Sequence, residues 1–83
     1  GSILVLGNGG AECEALAENA RRAVTELGAE VDVKLVTDPR TINSYGLSMR
    51  QTPAAVIAHH RVRATASVPE TPIIKEWIKD LLL

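Results

Sequence analysis

The chain has 83 residues, of which 46% are hydrophobic, and nine Lys plus Arg against ten Asp plus Glu leave a formal charge of −1. That length fits one domain with one modest core, and with no Phe, one Trp and one Tyr the core must be aliphatic. Near-neutral charge gives no basic field to draw nucleic acid or an anionic membrane, so neither is expected as a partner. A single cysteine excludes an internal disulfide and a cysteine-only metal site, and fits a reducing, cytoplasmic setting. The N-terminus has no basic stretch and only Ile3-Leu4-Val5-Leu6 as an apolar run, so no signal peptide is expected there. No run approaches the roughly 20 apolar residues that span a bilayer.

Ile3 to Leu6, partly β-branched and continuous, predicts a strand buried on both faces. Gly7-Asn8-Gly9-Gly10 then turns the chain into a helix from Ala11 to Leu27. Leu16, Ala20, Val24 and Leu27 recur at helical spacing and predict its buried stripe. Glu12, Glu14 and Glu18 precede Arg21 and Arg22, the order that suits a helix dipole, and Gly28 supplies the stop. Val31 to Leu35 alternates with period two, as in a strand at or near a sheet edge. Asp38-Pro39 opens a short second helix closed at Gly46, and Arg50-Gln51 is expected to be a polar loop.

Ala54 to Ala58 predicts a second fully buried strand, and Arg61 to Ala66 alternates again. These two are too close for a parallel crossover and must form an antiparallel hairpin through His59-His60. Thr71-Pro72 is expected to cap a last helix with Ile73, Ile74, Trp77, Ile78, Leu81 and Leu82 on its buried face. The order is β-α-β-α-β-β-α, an α/β arrangement with a parallel or mixed sheet and an antiparallel edge.

With that order, three residue sets resemble the small thioredoxin-like redox proteins of the thioredoxin-fold superfamily. Gly7-Asn8-Gly9-Gly10-Ala11-Glu12-Cys13 is similar to that family's Gly-x-Gly-Cys-x-x-Cys segment. Leu16, Glu18-Asn19-Ala20, Ala23-Val24 and Leu27-Gly28 are similar to its helix continuation. Tyr45-Gly46-Leu47 with Thr52-Pro53-Ala54 resembles the stretch leading into its cis-proline and third strand. The resemblance covers almost the whole chain. It implies a four-stranded mixed sheet with helices on both faces, a cis Thr52-Pro53 bond, and a site formed by Gly9, Gly10, Ala11, Glu12, Cys13, Thr52 and Pro53. It also implies that Gly10 stands where the first cysteine of the pair belongs. The loop from Gly46 to Pro53 is a little longer than usual, and His59-His60 replaces the common Asn-Gly turn.

Dithiol exchange needs one thiol to attack and a second to release the mixed disulfide. Cys13 alone cannot complete that cycle, so a competent dithiol oxidoreductase is not expected. Three readings of Cys13 stand beside one another. It is a small apolar residue packed under the first helical turn, a monothiol forming mixed disulfides with glutathione or a partner, or one half of a link between two copies. The corresponding functions are a binding module holding a protein or peptide, and a monothiol oxidoreductase acting with glutathione. A third is a phosphoryl- or anion-binding carrier resembling the cysteine-bearing subunits of sugar phosphotransferase systems, which would have its cysteine directly after the strand. No cofactor is implied, and the chain is expected to be a monomer or weak dimer.

The remaining polar residues have simpler roles. His59 and His60, adjacent in a hairpin, point apart and suit a solvated turn better than a metal. Glu12 and Glu14 face the helix dipole from different sides. Trp77 is expected in the core, and Arg61 and Arg63 on one face of an edge strand.

Overall fold

A computed structural model describes residues 1–57 and 61–81, apart from the side chain of Leu81. The His59-His60 turn, the end of the third strand at Ala58 and the Leu81–Leu82 part of the last helix face therefore lie outside the described residues. The elements are β1 (Ser2–Leu6), α1 (Ala11–Leu27), β2 (Asp32–Val36), α2 (Pro39–Ser44), a 3-10 turn (Met49–Gln51), β3 (Ala54–Ile57), β4 (Arg61–Ala64) and α3 (Thr71–Leu81). The sheet has four strands in the order β2-β1-β3-β4. β2 runs parallel to β1, while β3 is antiparallel to both β1 and β4. The expected mixed α/β sheet with antiparallel and half-exposed edges is thus observed.

Helices lie on both faces because β1 is apolar on both. Ile3 and Val5 pack with α1 and α3, whereas Leu6 packs with Ile42 of α2 and Leu47. Burial of each such side chain contributes about 1.5–3 kcal/mol. Thr71 does not cap α3 with its hydroxyl. Glu70 precedes the helix and its carbonyl accepts from Ile73 and Ile74, while Thr71 Oγ1 donates to the Asn19 carbonyl at 3.2 Å. Asn19 Nδ2 donates to the Pro69 carbonyl at 3.0 Å, so one residue of α1 holds the entry to α3. An exposed Lys75–Glu26 pair at 3.1 Å joins the same helices and adds little by itself.

Helix signals differ in how they are realised. Gly28 is left-handed at φ 61°, and the N–H groups of Gly28 and Ala29 bond to Thr25 and Val24 carbonyls at 3.1 Å each, a Schellman ending. Asp38 caps α2 by accepting from the Arg40 N–H at 3.0 Å. The last turn of α1 has no basic residue; Arg22 instead approaches Glu18 at 3.9 Å on the solvent side. The buried stripe of α1 is Cys13, Leu16, Ala17, Ala20 and Ala23, with Val24 and Leu27 only partly buried. The buried stripe keeps the expected direction: Cys13, Ala17 and Ala23 widen it around Leu16 and Ala20, while Val24 and Leu27 lie near the end of the helix.

Other expectations change similarly. Arg50-Gln51 belongs to the 3-10 turn, where Ser48 and Gln51 form a reciprocal capping box. A register shift between Ala55 and Val56 leaves Arg63 without a residue opposite it, and its guanidinium lies 5.7 Å from the Trp77 ring centre. Arg63 therefore engages α3 as well as guarding an edge. Trp77 is partly buried against the core, and Ile73 is 49% exposed, on the opposite side from fully buried Ile78. Among the described residues no helix is long and apolar enough to cross a membrane.

The two isoleucines of α3 give a direct test. Ile78→Ala is expected to lower unfolding stability by about 2–5 kcal/mol, and Ile73→Ala by about 0.5 kcal/mol or less, in urea titrations.

Candidate functional site

The β1–α1 turn begins inside the sheet. Gly7 N–H still reaches the Val36 carbonyl at 3.1 Å, which extends the ladder one residue past β1. Gly9 then takes φ 79°, a conformation open to glycine at low cost. Asn8 folds back so that Oδ1 accepts the Gly10 N–H at 2.8 Å. Gly10 is extended at φ −79°, ψ −168° and stands just before the helix without a side-chain cap. Its carbonyl accepts the Glu14 N–H at 3.0 Å, the first turn of α1.

Cys13 lies one turn inside α1 and is 2% exposed. Its Sγ is 3.8 Å from Asn8 Oδ1, within reach of a weak thiol hydrogen bond. On its other side the sulfur rests against Gly7, where an added Cβ would overlap it. Gly7 is needed here for space and not for backbone freedom.

A groove of about 170 Å³ opens beside this turn. Asn8 and residues 10–13 form one side, and Thr52 and Pro53 form the other. The Thr52–Pro53 peptide bond is cis. Pro53 is buried and Thr52 half-buried, with Thr52 Oγ1 donating to the Met49 carbonyl at 2.6 Å. The structure thus brings Gly10, Ala11, Glu12, Cys13, Thr52 and Pro53 to one groove. Gly9 does not line it, and only shapes the turn. Asn8 was not singled out from sequence, though it bonds Gly10 and approaches the thiol. An Asn between glycines is an ordinary turn signal, so nothing local marked it.

The groove's chemistry is sparse. Among the described residues Glu12 is its one charged lining residue, and it is exposed. Among the described residues no polar or charged side chain is buried, and no group of three His, Cys, Asp or Glu converges. The surface on offer is mainly short side chains and backbone.

Comparison with known families now adds to this geometry. Residues 2–79 match the thioredoxin domain family, and the chain belongs to that family. No curated protein and no solved structure is significantly similar to it.

Two measurements test the packing of the thiol. Native protein should resist iodoacetamide at Cys13 and label quickly in denaturant; rapid native labelling would contradict its burial. Gly7→Ala should cost about 1–3 kcal/mol through overpacking. Much of that loss should vanish when Cys13→Ala is added, giving a double-mutant coupling above about 0.5 kcal/mol.

Proposed function

We propose that this thioredoxin-family domain is a binding module lacking the dithiol pair, which holds a peptide or partner-protein segment in the groove between Gly10–Cys13 and Thr52-Pro53. In this reading Gly10 occupies the place of the first cysteine of the family's pair, and Cys13 is what remains of it. The burial of Cys13 carries the proposal: a cysteine that is 2% exposed, with its sulfur lodged on Gly7, is spent on packing and poorly placed to attack a disulfide. Thiol exchange requires an accessible thiolate and a second thiol to release the product.

The groove's size and charge favour a peptide over a small charged ligand. Its volume of about 170 Å³ is below the roughly 300–1,000 Å³ usual for small-molecule pockets. Glutathione and phosphoryl groups carry negative charge, and the groove meets them with Glu12 and, among the described residues, no lining cation. Monothiol chemistry with glutathione and an anion carrier are therefore the weaker readings. A peptide can use exposed backbone groups and a shallow cleft without a charged anchor.

Insulin reduction with dithiothreitol as electron source should proceed at background rate with the natural chain. A clear acceleration would overturn the binding-module reading. Gly10→Cys should then create an internal disulfide with Cys13 and raise the rate. The extended backbone at position 10 accepts a side chain, provided Asn8 Oδ1, 3.0 Å from the new Cβ, gives way slightly. Residues three apart at a helix start lie within disulfide reach. Failure to close that bond under oxidising conditions would displace Gly10 from its assigned role.

A further inference from the structure

The two edges of the sheet are unlike. β4 presents Arg61 and Arg63, interrupted by the register shift opposite Ala55 and Val56, and like charges with a bulge discourage strand addition. β2 forms the other edge and pairs with β1 through five regular positions. Its sequence is Asp32-Val33-Lys34-Leu35-Val36. Asp32 and Lys34 are exposed, as is Leu35 at 37%. Neither Asp32 nor Lys34 makes an ion pair among the described residues.

Backbone direction restricts how this edge can be used. The Asp32 N–H donates to the Gly1 carbonyl and the Val36 carbonyl accepts from Gly7, both at 3.1 Å. Residues 32, 34 and 36 therefore turn their amide groups toward β1, and Val31, Val33 and Leu35 turn theirs outward. In an antiparallel pairing of β2 with another β2, outward-facing residues must oppose outward-facing residues. With the two-fold axis at Val33, Val33 opposes its own copy and Val31 opposes Leu35, all as hydrogen-bonded pairs. Asp32 then opposes Lys34, and Lys34 opposes Asp32, at the non-hydrogen-bonded positions where side chains come closest. Moving the axis to Lys34 sets lysine against lysine; moving it to Asp32 sets aspartate against aspartate. Among the residues of β2 itself, the register at Val33 is the self-complementary one in charge, and it also covers Leu35, whereas the register at Asp32 would meet Lys34 with Glu30, which lies outside the strand.

We propose that β2 is a self-association edge, through which two copies of the chain pair antiparallel about a two-fold axis at Val33 and join their sheets. The surface covered by two short strands is small, so the dimer is weak and concentration-dependent. Exposed ion pairs make it weaker in high salt. The proposal does not depend on how the groove beside Cys13 is read.

Sedimentation of the natural chain from about 10 µM to about 1 mM should show a reversible monomer–dimer equilibrium. Lys34→Asp or Asp32→Lys alone places like charges opposite each other twice, and should weaken the dimer by about tenfold or more. The combined Asp32→Lys, Lys34→Asp exchange should restore it. Amide exchange at Val33 and Leu35 should slow as concentration rises. If the single variants do not fold, as judged by circular dichroism, the exchange measurement on the natural chain decides. A chain that remains monomeric throughout, a dimer indifferent to these charges, a dimer without slowed exchange at Val33 and Leu35, or a dimer abolished by reductant or Cys13→Ser would each overturn the proposal.

Discussion

The central strand must be covered on both faces, and the rest of the structure follows from how that is done without phenylalanine. Ile3 and Val5 face α1 and α3, while Leu6 faces α2 and the segment after it. A chain of aliphatic residues cannot fill a wide gap, so the layers must come close. α1 achieves this by turning Ala17, Ala20 and Ala23 inward beside Leu16. Small residues permit close approach of helix and sheet, and dense contact supplies the dispersion energy that large rings would otherwise provide. α3 then packs along α1, fixed at its start by Asn19 to Pro69 and Thr71.

That close packing explains the candidate site. For α1 to lie against β1 within its first turn, the strand-to-helix connection must rise steeply, and the side chain at position 13 must point down onto the end of the strand. Gly7 leaves room for a sulfur there, Gly9 supplies the left-handed backbone, and Asn8 ties the turn through the Gly10 N–H. Cys13 is thereby drawn into the core at the base of the groove, with little of it exposed. What remains outside is a short turn facing Thr52 and Pro53. Location and chemistry are thus separate questions at this site: family membership is shared across residues 2–79, while reactivity depends on a few side chains.

The order of strands and helices was legible because strong local signals coincide with tertiary need. Asp38-Pro39, Gly28 and the apolar run at Ile3 each have an immediate physical reason that survives in the fold. Signals failed where size outweighed hydrophobicity. Val24 and Leu27 share the buried arc of α1 but lie near its end and are only partly buried, whereas the small Ala17 and Ala23, with little hydrophobic signal, are fully buried. Ile73 lies one residue from Ile74, so an unresolved helix phase put both inside, although only Ile74 is buried. The bulge that frees Arg63 to lie over Trp77 leaves an alternating sequence unchanged. Asn8 is the same kind of case, a common turn residue whose contact with Cys13 exists only after α1 docks.

The same strand that creates the site also determines what its neighbours leave open. β1 uses one side of its backbone on β3, whose approach through Thr52 and Pro53 builds the far wall of the groove. It uses the other side on β2, whose far edge meets no further strand. The opposite boundary, at β4, is irregular and carries two arginines, and the chain beyond it turns back so that the Ala66 N–H meets the Gln51 carbonyl at 2.8 Å. A small sheet with one obstructed edge and one regular edge has a direction in which it can grow. Charge then selects among the registers that backbone parity allows, because Asp32 and Lys34 stand on either side of Val33 and meet directly opposite each other across a copy of the same strand paired about that residue.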